Sequence, residues 1–338
     1  MGYINLNKQN FFSNIDYCTN ILGNKNKICI ALKDNAYGHG LEQIAQLSAS
    51  YGIKHCMVRD LAEANIANRF NFESILILYE QPKPNQHYPS NFIFSINSLD
   101  NLAQIDTNIN IELKIDTGMS RNGILVSQIK DSIKLIKDKN INLYGVFTHF
   151  CCADEDETIT YKQEQLFISS IKQIEQLYKK QFRKHCANSA AIHIINNKQY
   201  DIARVGIALY GYIDIEQYST NLKPILSLHA NKISTRILHK GDCINYGATY
   251  KVPYDNFTVS NYNIGYSDGY FRLNERKKAT ISNGKNILGR VSMDSLSVEG
   301  DDETICIFDD VTKLATIHDT IKYEILTNLK SNIPRYII

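Results

Sequence analysis

A (β/α)8 TIM-type barrel followed by a smaller, mainly β domain is the fold class this sequence predicts, and three observations carry it. The first two-thirds of the chain alternates short apolar runs with longer amphipathic ones. Polar clusters, several containing glycine, follow those runs. From about Lys223-Pro224 the long helical periods give way to short strands. Repeated strand–helix alternation argues for a parallel sheet, and this many units argues for closure into a barrel. Periodicity alone does not separate the barrel from an open doubly wound sheet. At 338 residues the chain is long for one core, so two domains are expected, 1–222 and 223–338.

Strand-like runs lie at Ile28–Leu32, Ile75–Leu78, Phe92–Ile96, Ile111–Ile115, Leu143–Thr148 and Ile202–Leu209. Short apolar runs of this kind, stopped by polar or turn-forming residues, read as buried strands. Leu41–Tyr51 and Tyr161–Tyr178 read as helices, the second with apolar residues near helical spacing and many Lys and Gln. In the second domain Leu226–His229, Lys232–Leu238, Phe257–Tyr262, Ala279–Ile281 and Thr304–Phe308 are separated by segments rich in Gly, Asn and Asp. That spacing predicts strands joined by turns.

Composition narrows the function classes. A formal net charge of +2, with 43% hydrophobic and 21% charged residues, suggests no nucleic-acid or membrane partner. No apolar run is long enough to span a bilayer. The eight cysteines show no CxxC pair, and no signal peptide follows Met1-Gly2-Tyr3. Reduced thiols in a cytoplasmic protein are therefore expected. No metal is expected in the site.

Chemistry concentrates after the apolar runs. Lys33 directly follows Ile28–Leu32 and opens Lys33-Asp34-Asn35-Ala36-Tyr37-Gly38-His39-Gly40. Burying an ammonium is costly unless it is paired or chemically used, and the same burial makes the amine a better nucleophile toward carbonyls. Lys33 is thus a candidate for a Schiff base. Further clusters are Lys114 to Gly123, Thr148-His149-Phe150, His185 to Ser189 and Arg204-Val205-Gly206-Ile207. A serine hydroxyl and backbone N–H groups near a glycine could together hold a phosphate. Singly these signals are weak: Gly206 also suits a turn, His149 a satisfied structural histidine, and Arg121 or Arg204 an ordinary ion pair.

Taken together, LKDNAYGHG, KIDTGMSRNG, THFCCADE, HCANSAA, ARVGIALYG, NYGATY, GYSDGY and GRVSMD resemble the segments of alanine racemase, the pyridoxal-phosphate enzyme of fold type III. They occur in family order over most of the chain. The resemblance implies a head-to-tail homodimer in which the β domain completes the partner's active site. It implies that Lys33 holds pyridoxal phosphate covalently, with Tyr37, Ser189 and the N–H groups of Gly206 and Ile207 on its phosphate. Arg204 then matches the arginine facing the pyridine nitrogen. Arg121 matches the one near the phenolic oxygen and the substrate carboxylate. Lys114 matches a lysine that is often carbamylated and holds that arginine. From the other subunit come Tyr246, the second base, and Met293, a contact to the substrate carboxylate. Asp154, Tyr266, Arg272 and Arg290 resemble residues lining the way in to the substrate.

Racemisation takes a proton from one face of the α-carbon and returns one to the other, so two bases on opposite faces suit it. Lys33 is one. Tyrosine, with an unperturbed pKa of about 10, needs a neighbouring positive charge or donor to act as the other. His149 backed by Arg204 is the expected relay. An arginine opposite the ring nitrogen gives up no proton readily and limits side reactions such as transamination.

Three departures stand out: Asp34 replaces a small apolar residue, Ser120 and Asn122 alter GMGRLG, and Ser331 aligns with a tyrosine that touches the phosphate. Ser331 suggests a pocket for side chains larger than alanine's, unless Tyr323 or Tyr336 compensates. The implied function is racemisation of alanine, supplying D-alanine for peptidoglycan. The alternatives are a racemase of broader specificity (serine, for example), a fold-type-III decarboxylase, and a non-catalytic pyridoxal-phosphate carrier. The decarboxylase is disfavoured by the lack of a Cys-Glu-Ser-Gly segment, the carrier by the second domain.

Overall fold

A computed structural model describes residues 2–105, 109–273 and 278–338. The chain divides into two compact units, one of Phe11–Ala36 and Ile44–Lys223, the other of Met1–Asn10, Tyr37–Gln43 and Pro224–Ile338.

The larger unit is a nearly closed barrel of eight parallel strands: Ile28–Ala31, His55–Val58, Ser74–Ile77, Phe92–Ile96, Asn110–Asp116, Asn142–Phe147, Arg183–His185 and Ala203–Val205. Each of the first six pairs in parallel with the next, and Ala203–Val205 returns to pair with Ile28–Ala31, leaving Arg183–His185 and Ala203–Val205 as the two ends of the sheet. The last seam is bridged by two bonds, Asp201 N–H to the Lys184 carbonyl and Arg204 N–H to the Ala187 carbonyl, each 2.9 Å. Ile28–Ala31, Ser74–Ile77 and Phe92–Ile96 are buried throughout. Each Ile, Leu or Phe so buried contributes about 1.5–3 kcal/mol before the opposing chain entropy.

Helices cover the strands where the sequence supplies caps and an apolar stripe. Glu157–Tyr178 starts at Asp156, whose carboxylate accepts from Thr158 and Ile159 N–H, and stops at Lys179 in the left-handed region. It buries Thr160, Gln163, Glu164, Phe167, Ile171, Ile174 and Tyr178, a stripe at helical spacing. The capped first turn explains why this helix begins four residues before the periodic stretch expected from Tyr161. Leu41–Tyr51 forms as expected.

Other expectations are corrected. The run Ile202–Leu209 contributes only Ala203–Val205, because Leu209 N–H turns back to Gly206 and Tyr210 N–H to Ile207. Strands His55–Val58 and Arg183–His185 escape an apolar-run reading, the first because His55 leaves only three apolar residues and the second because all three of its residues are polar. Between Ser74–Ile77 and Phe92–Ile96 no helix forms, and Arg183–His185 connects to Ala203–Val205 through 3-10 turns at Ala191–His193 and Asn197–Gln199. Against a continuous 1–222, residues 1–10 and 37–43 cluster with the C-terminal unit.

The reason lies in that unit's sheet. Its axis is the long strand Leu226–Leu238, which unites two runs read separately in the sequence. Tyr3–Leu6 pairs antiparallel with its first half, and Arg335–Ile337 pairs parallel with Tyr3–Leu6. Phe257–Tyr262 pairs with its second half, followed by Leu296–Glu299, while Thr304–Phe308 also joins the central strand. Ile244, Val252, Phe257, Val259 and Leu288 form a core cluster. Ala279–Ile281 makes only an isolated bridge from Thr280 to Asn286. Among the described residues no helix is long and apolar enough to cross a membrane.

Candidate active site

In the barrel unit the candidate residues stand at the C-terminal ends of its strands, where parallel barrels carry their chemistry. Lys33 follows Ile28–Ala31, Arg121 follows Asn110–Asp116, His149 follows Asn142–Phe147, Ser189 follows Arg183–His185, and Gly206 follows Ala203–Val205.

The backbone after Lys33 is unusual. Asp34, Asn35, Ala36 and Tyr37 all have φ between 52° and 55°, one turn of left-handed helix. That conformation costs L-residues roughly 1–2 kcal/mol each, less for Asn and Asp. The surroundings hold it: Ala36 N–H donates to the Leu32 carbonyl at 2.8 Å, and Asn35 N–H to Glu63 Oε1 at 3.0 Å. Burial raises the Glu63 carboxyl above its ordinary range. Lys33 Nζ lies 3.2 Å from Asp34 Oδ2, and Asp34 Oδ1 lies 3.2 Å from Arg59 Nη1. The aspartate that departs from the family pattern therefore pairs with the candidate nucleophile.

Arg204 is buried (3% exposed) and its partners are neutral. Nη1 donates to His185 Nδ1 at 2.6 Å, and Nη2 donates to the Thr148 carbonyl at 2.6 Å and to His149 Nδ1 at 3.2 Å. The guanidinium lies 4.9 Å from the Phe147 ring centre. Arginine can only donate, so both histidines accept through Nδ1 and, when neutral, carry their proton on Nε2. Burial, with Arg204 adding repulsion, pushes His149 well below its usual value. Burial likewise lowers His185 to about 4, although Glu112 pulls the other way.

The turn after Val205 gathers donors. Gly206 and Ala208 N–H both donate to Ser189 Oγ, at 3.0 and 3.3 Å. The Ile207 N–H between them meets no acceptor among the described residues. Asn188 Oδ1 shapes the serine's loop by accepting from Ala190 and Ala191 N–H. Backbone donors converging beside a hydroxyl suit an anion. Lys114 is buried, and burial followed by repulsion from Arg121 and Arg204 lowers its amine to about 8. Asp116 Oδ1 accepts from Gly118, Met119 and Ser120 N–H, folding the loop that carries exposed Arg121. Asp154 is exposed in the loop after His149.

The smaller unit holds the other candidates. Tyr37 is buried, its ring 5.6 Å from that of Tyr323. At Gly38 (φ 79°) an added Cβ would lie 2.0 Å from the Leu326 carbonyl oxygen, so glycine is required. The Gly38 carbonyl accepts from Arg335 Nε and Nη2 at 3.1 and 2.8 Å. Ser331 is exposed, with its carbonyl bound by Arg335 Nη1 at 3.0 Å. Tyr246 opens a tight turn between Cys243–Ile244 and Tyr250–Lys251 and is 64% exposed. Asn245 fixes that turn at φ 61°, its Nδ2 donating to the Leu288 carbonyl and Ser297 Oγ. Met293, Tyr266 and Arg272 are exposed, and Arg290 is half-buried beside Gly247.

Sequence reasoning assigned no role to Glu63, Glu112, Arg183 or His185. Glu112 carried a signal: it is a charged residue inside the apolar run Ile111–Ile115, and fully buried carboxylates are rare unless paired. Burial alone would raise its carboxyl, but Arg183 and then His185 hold it down to about 2.

These shifts set the acid limit of the fold. His185 and His55, lowered by burial to about 4, and His149, lowered well below its usual value, bind protons more weakly folded than unfolded. Their stabilisation is complete above about pH 6.5 and is lost as the pH falls toward 4, by up to ~1.4 kcal/mol per pH unit for each. The urea midpoint should drop clearly between about pH 7.5 and about pH 5. An unchanged midpoint would contradict buried neutral imidazoles.

Residues 6–214 match the family model described as alanine racemase, N-terminal domain, and residues 225–337 that of its C-terminal domain. An alanine racemase of Campylobacter curvus is 39% identical over 339 residues, covering 99% of each chain. The solved alanine racemase of Clostridium difficile 630 superposes with a TM-score of 0.86 at 25% identity, over 100% of this chain and 95% of that one. The structure of the Bartonella henselae alanine racemase with covalently bound pyridoxal phosphate gives 0.84 at 22% identity, over 100% and 99%.

Proposed function

The chain belongs to the alanine racemase family, and from that premise we propose how its residues divide the work of interconverting L- and D-alanine. The reaction depends on pyridoxal phosphate, which when bound withdraws electrons from the α-carbon and so acidifies its hydrogen. The donor set at the barrel mouth fits this group: an amine at Lys33, N–H donors with a hydroxyl around Ser189, and a buried guanidinium at Arg204. That convergence is the observation that carries the reading.

Lys33 would hold the cofactor at its aldehyde carbon, and its amine is the base for one face of the substrate. Ser189 and the Gly206 and Ile207 N–H groups take the phosphate, with the Tyr37 hydroxyl. Arg204 would meet the ring nitrogen and keep its own protons. Arg121 binds the substrate carboxylate, steadied by Lys114, whose lowered amine is suited to carbamylation. Tyr246 of the partner subunit supplies the second base, with His149 Nε2–H beside its oxygen and Met293 of that subunit near the carboxylate. Asp154, Tyr266, Arg272 and Arg290 line the approach.

The homodimer rests on Tyr246: a base needs a dry site, whereas this side chain stands exposed on a rigid turn of its own unit. We further place the enzyme in the cytoplasm, where it supplies D-alanine for peptidoglycan. Its eight thiols form no disulfide, in keeping with a reducing compartment.

The test is to incubate the yellow holoenzyme with L-alanine in deuterated water. Appearance of D-alanine carrying α-deuterium is expected; a coloured protein that exchanges no α-hydrogen would instead be a carrier. The broader-specificity reading draws on exposed Ser331. Tyr336 packs edge-on against Tyr3, whereas Tyr323 packs beside Tyr37, so Tyr323 is the candidate to compensate. Tyr323→Ala should raise kcat/KM for L-serine relative to L-alanine by about 10-fold or more, the order that one pocket contact carries. Strict alanine preference in that variant would exclude the wider pocket.

A further inference from the structure

Behind Arg204 the barrel interior holds a chain of charged and polar groups that the proposed reaction does not yet use. His185, the acceptor for Arg204, places Nε2 2.8 Å from Glu112 Oε2. The other carboxylate oxygen, Oε1, accepts from Arg183 Nε and Nη2 at 2.9 and 2.6 Å. Arg183 is fixed in turn by Nη1 on Ser74 Oγ at 2.9 Å and by the Tyr144 ring, 4.9 Å away. Both oxygens of Glu112 are thus committed, one to each partner, and the carboxylate has no freedom to turn.

The barrel makes room for this arrangement. Gly145 faces Glu112 across the paired strands, and a Cβ there would lie 2.7 Å from Glu112 Oε1 and 3.0 Å from its Cγ and Cδ. Glycine weakens a strand interior and marks a close approach when it occurs there. His185 also stacks on Phe147, at 5.0 Å and 6°, the same ring that Arg204 covers. An ion pair buried to this depth is on average no better for stability than apolar residues of the same shape. Its third bond, to His185, is what connects it with Arg204.

We propose that Glu112, clamped by Arg183, is a positioning residue for the racemase reaction: it fixes His185 with its proton on Nε2, so that Nδ1 must accept and Arg204 is held charged and oriented toward the cofactor ring nitrogen. This rests on the placement of Arg204 given above. Without the carboxylate, His185 is free to carry its proton on Nδ1. It then presents a donor to a guanidinium that can only donate, and the 2.6 Å bond is lost. Arg204 would keep the Thr148 carbonyl and His149 on Nη2 while its Nη1 edge loosens.

The test uses the double variant Glu112→Leu/Arg183→Leu beside Glu112→Gln, both as holoenzymes. Glu112→Gln leaves Arg183 buried without its anion and can fail by unfolding; the double variant removes both charges together. In the double variant we expect melting near that of the wild type, kcat lowered by about 10- to 100-fold, as outer partners of site histidines typically carry, and KM for L-alanine within about twofold. The absorption maximum of the bound cofactor should shift, a change that a purely structural ion pair would not cause. A stable double variant with wild-type kcat and absorption overturns the proposal. An unstable one also overturns it, because stability would then be what the pair provides. Arg204→Lys separates the two layers. If it shifts the absorption and the double variant does not, only the role of Glu112 falls. If neither shifts it, the placement of Arg204 falls with it.

Discussion

Lys33→Ala should lower racemisation by more than about 10⁴-fold and yield a colourless protein from which pyridoxal phosphate dialyses away. On the proposed roles two functions leave with one amine: covalent attachment, and proton transfer on one face of the substrate, itself worth about 10²–10⁴-fold. The fold should survive, because Lys33 is partly exposed and its charge is met by Asp34, which retains Arg59. A surface ion pair of that kind contributes about 0–1 kcal/mol. Absorbance after dialysis, together with a thermal melt, separates loss of the anchor from loss of structure. A variant that keeps bound colour and turnover would remove Lys33 from the site.

Tyr246→Phe should cost about 10²–10⁴-fold in interconversion and should do so asymmetrically. In its proposed role the hydroxyl serves one face only, so one enantiomer should go on exchanging its α-hydrogen in deuterated water while the other stops. Equal loss of exchange from both enantiomers would point to a general packing defect. The same variant tests the shared site. Mixed after reversible dissociation, Lys33→Ala and Tyr246→Phe subunits should regain activity, because in each mixed dimer one site combines the intact Lys33 with the intact Tyr246. Random pairing restores about a quarter of the sites. No recovery on mixing, with dimers shown to exchange, would return Tyr246 to its own subunit.

The barrel was legible because its strands are short apolar runs closed by polar residues, and Phe92–Ile96 and Leu41–Tyr51 form where the pattern puts them. The strands that escaped were those in which polar residues shorten or replace the apolar run. His55 opens one missed strand, and Arg183, Lys184 and His185 make up the other. A pattern reading takes such residues for loop, although here His55, Arg183 and His185 join one polar chain while Lys184 pairs with Glu175. Gly206 likewise stopped a strand that apolar content alone would have continued to Leu209. Tyr3–Leu6 is near one end of the chain and Arg335–Ile337 at the other, and nothing local announces that they pair.

At the site, eight short segments in family order carried the resemblance, and with it the expected roles of Lys33, Ser189, Arg204 and Tyr246. Those segments are short and contiguous, so the residue order alone displays them. Contact between segments is another matter. Glu112 and His185 are 73 residues apart, and His185 and Arg204 are 19. Whether they touch depends on strand register, and whether a histidine is neutral depends on how far folding removes it from water. Folding alone could therefore join Glu112, His185, Arg204 and His149 into one buried chain and set the protonation of each member.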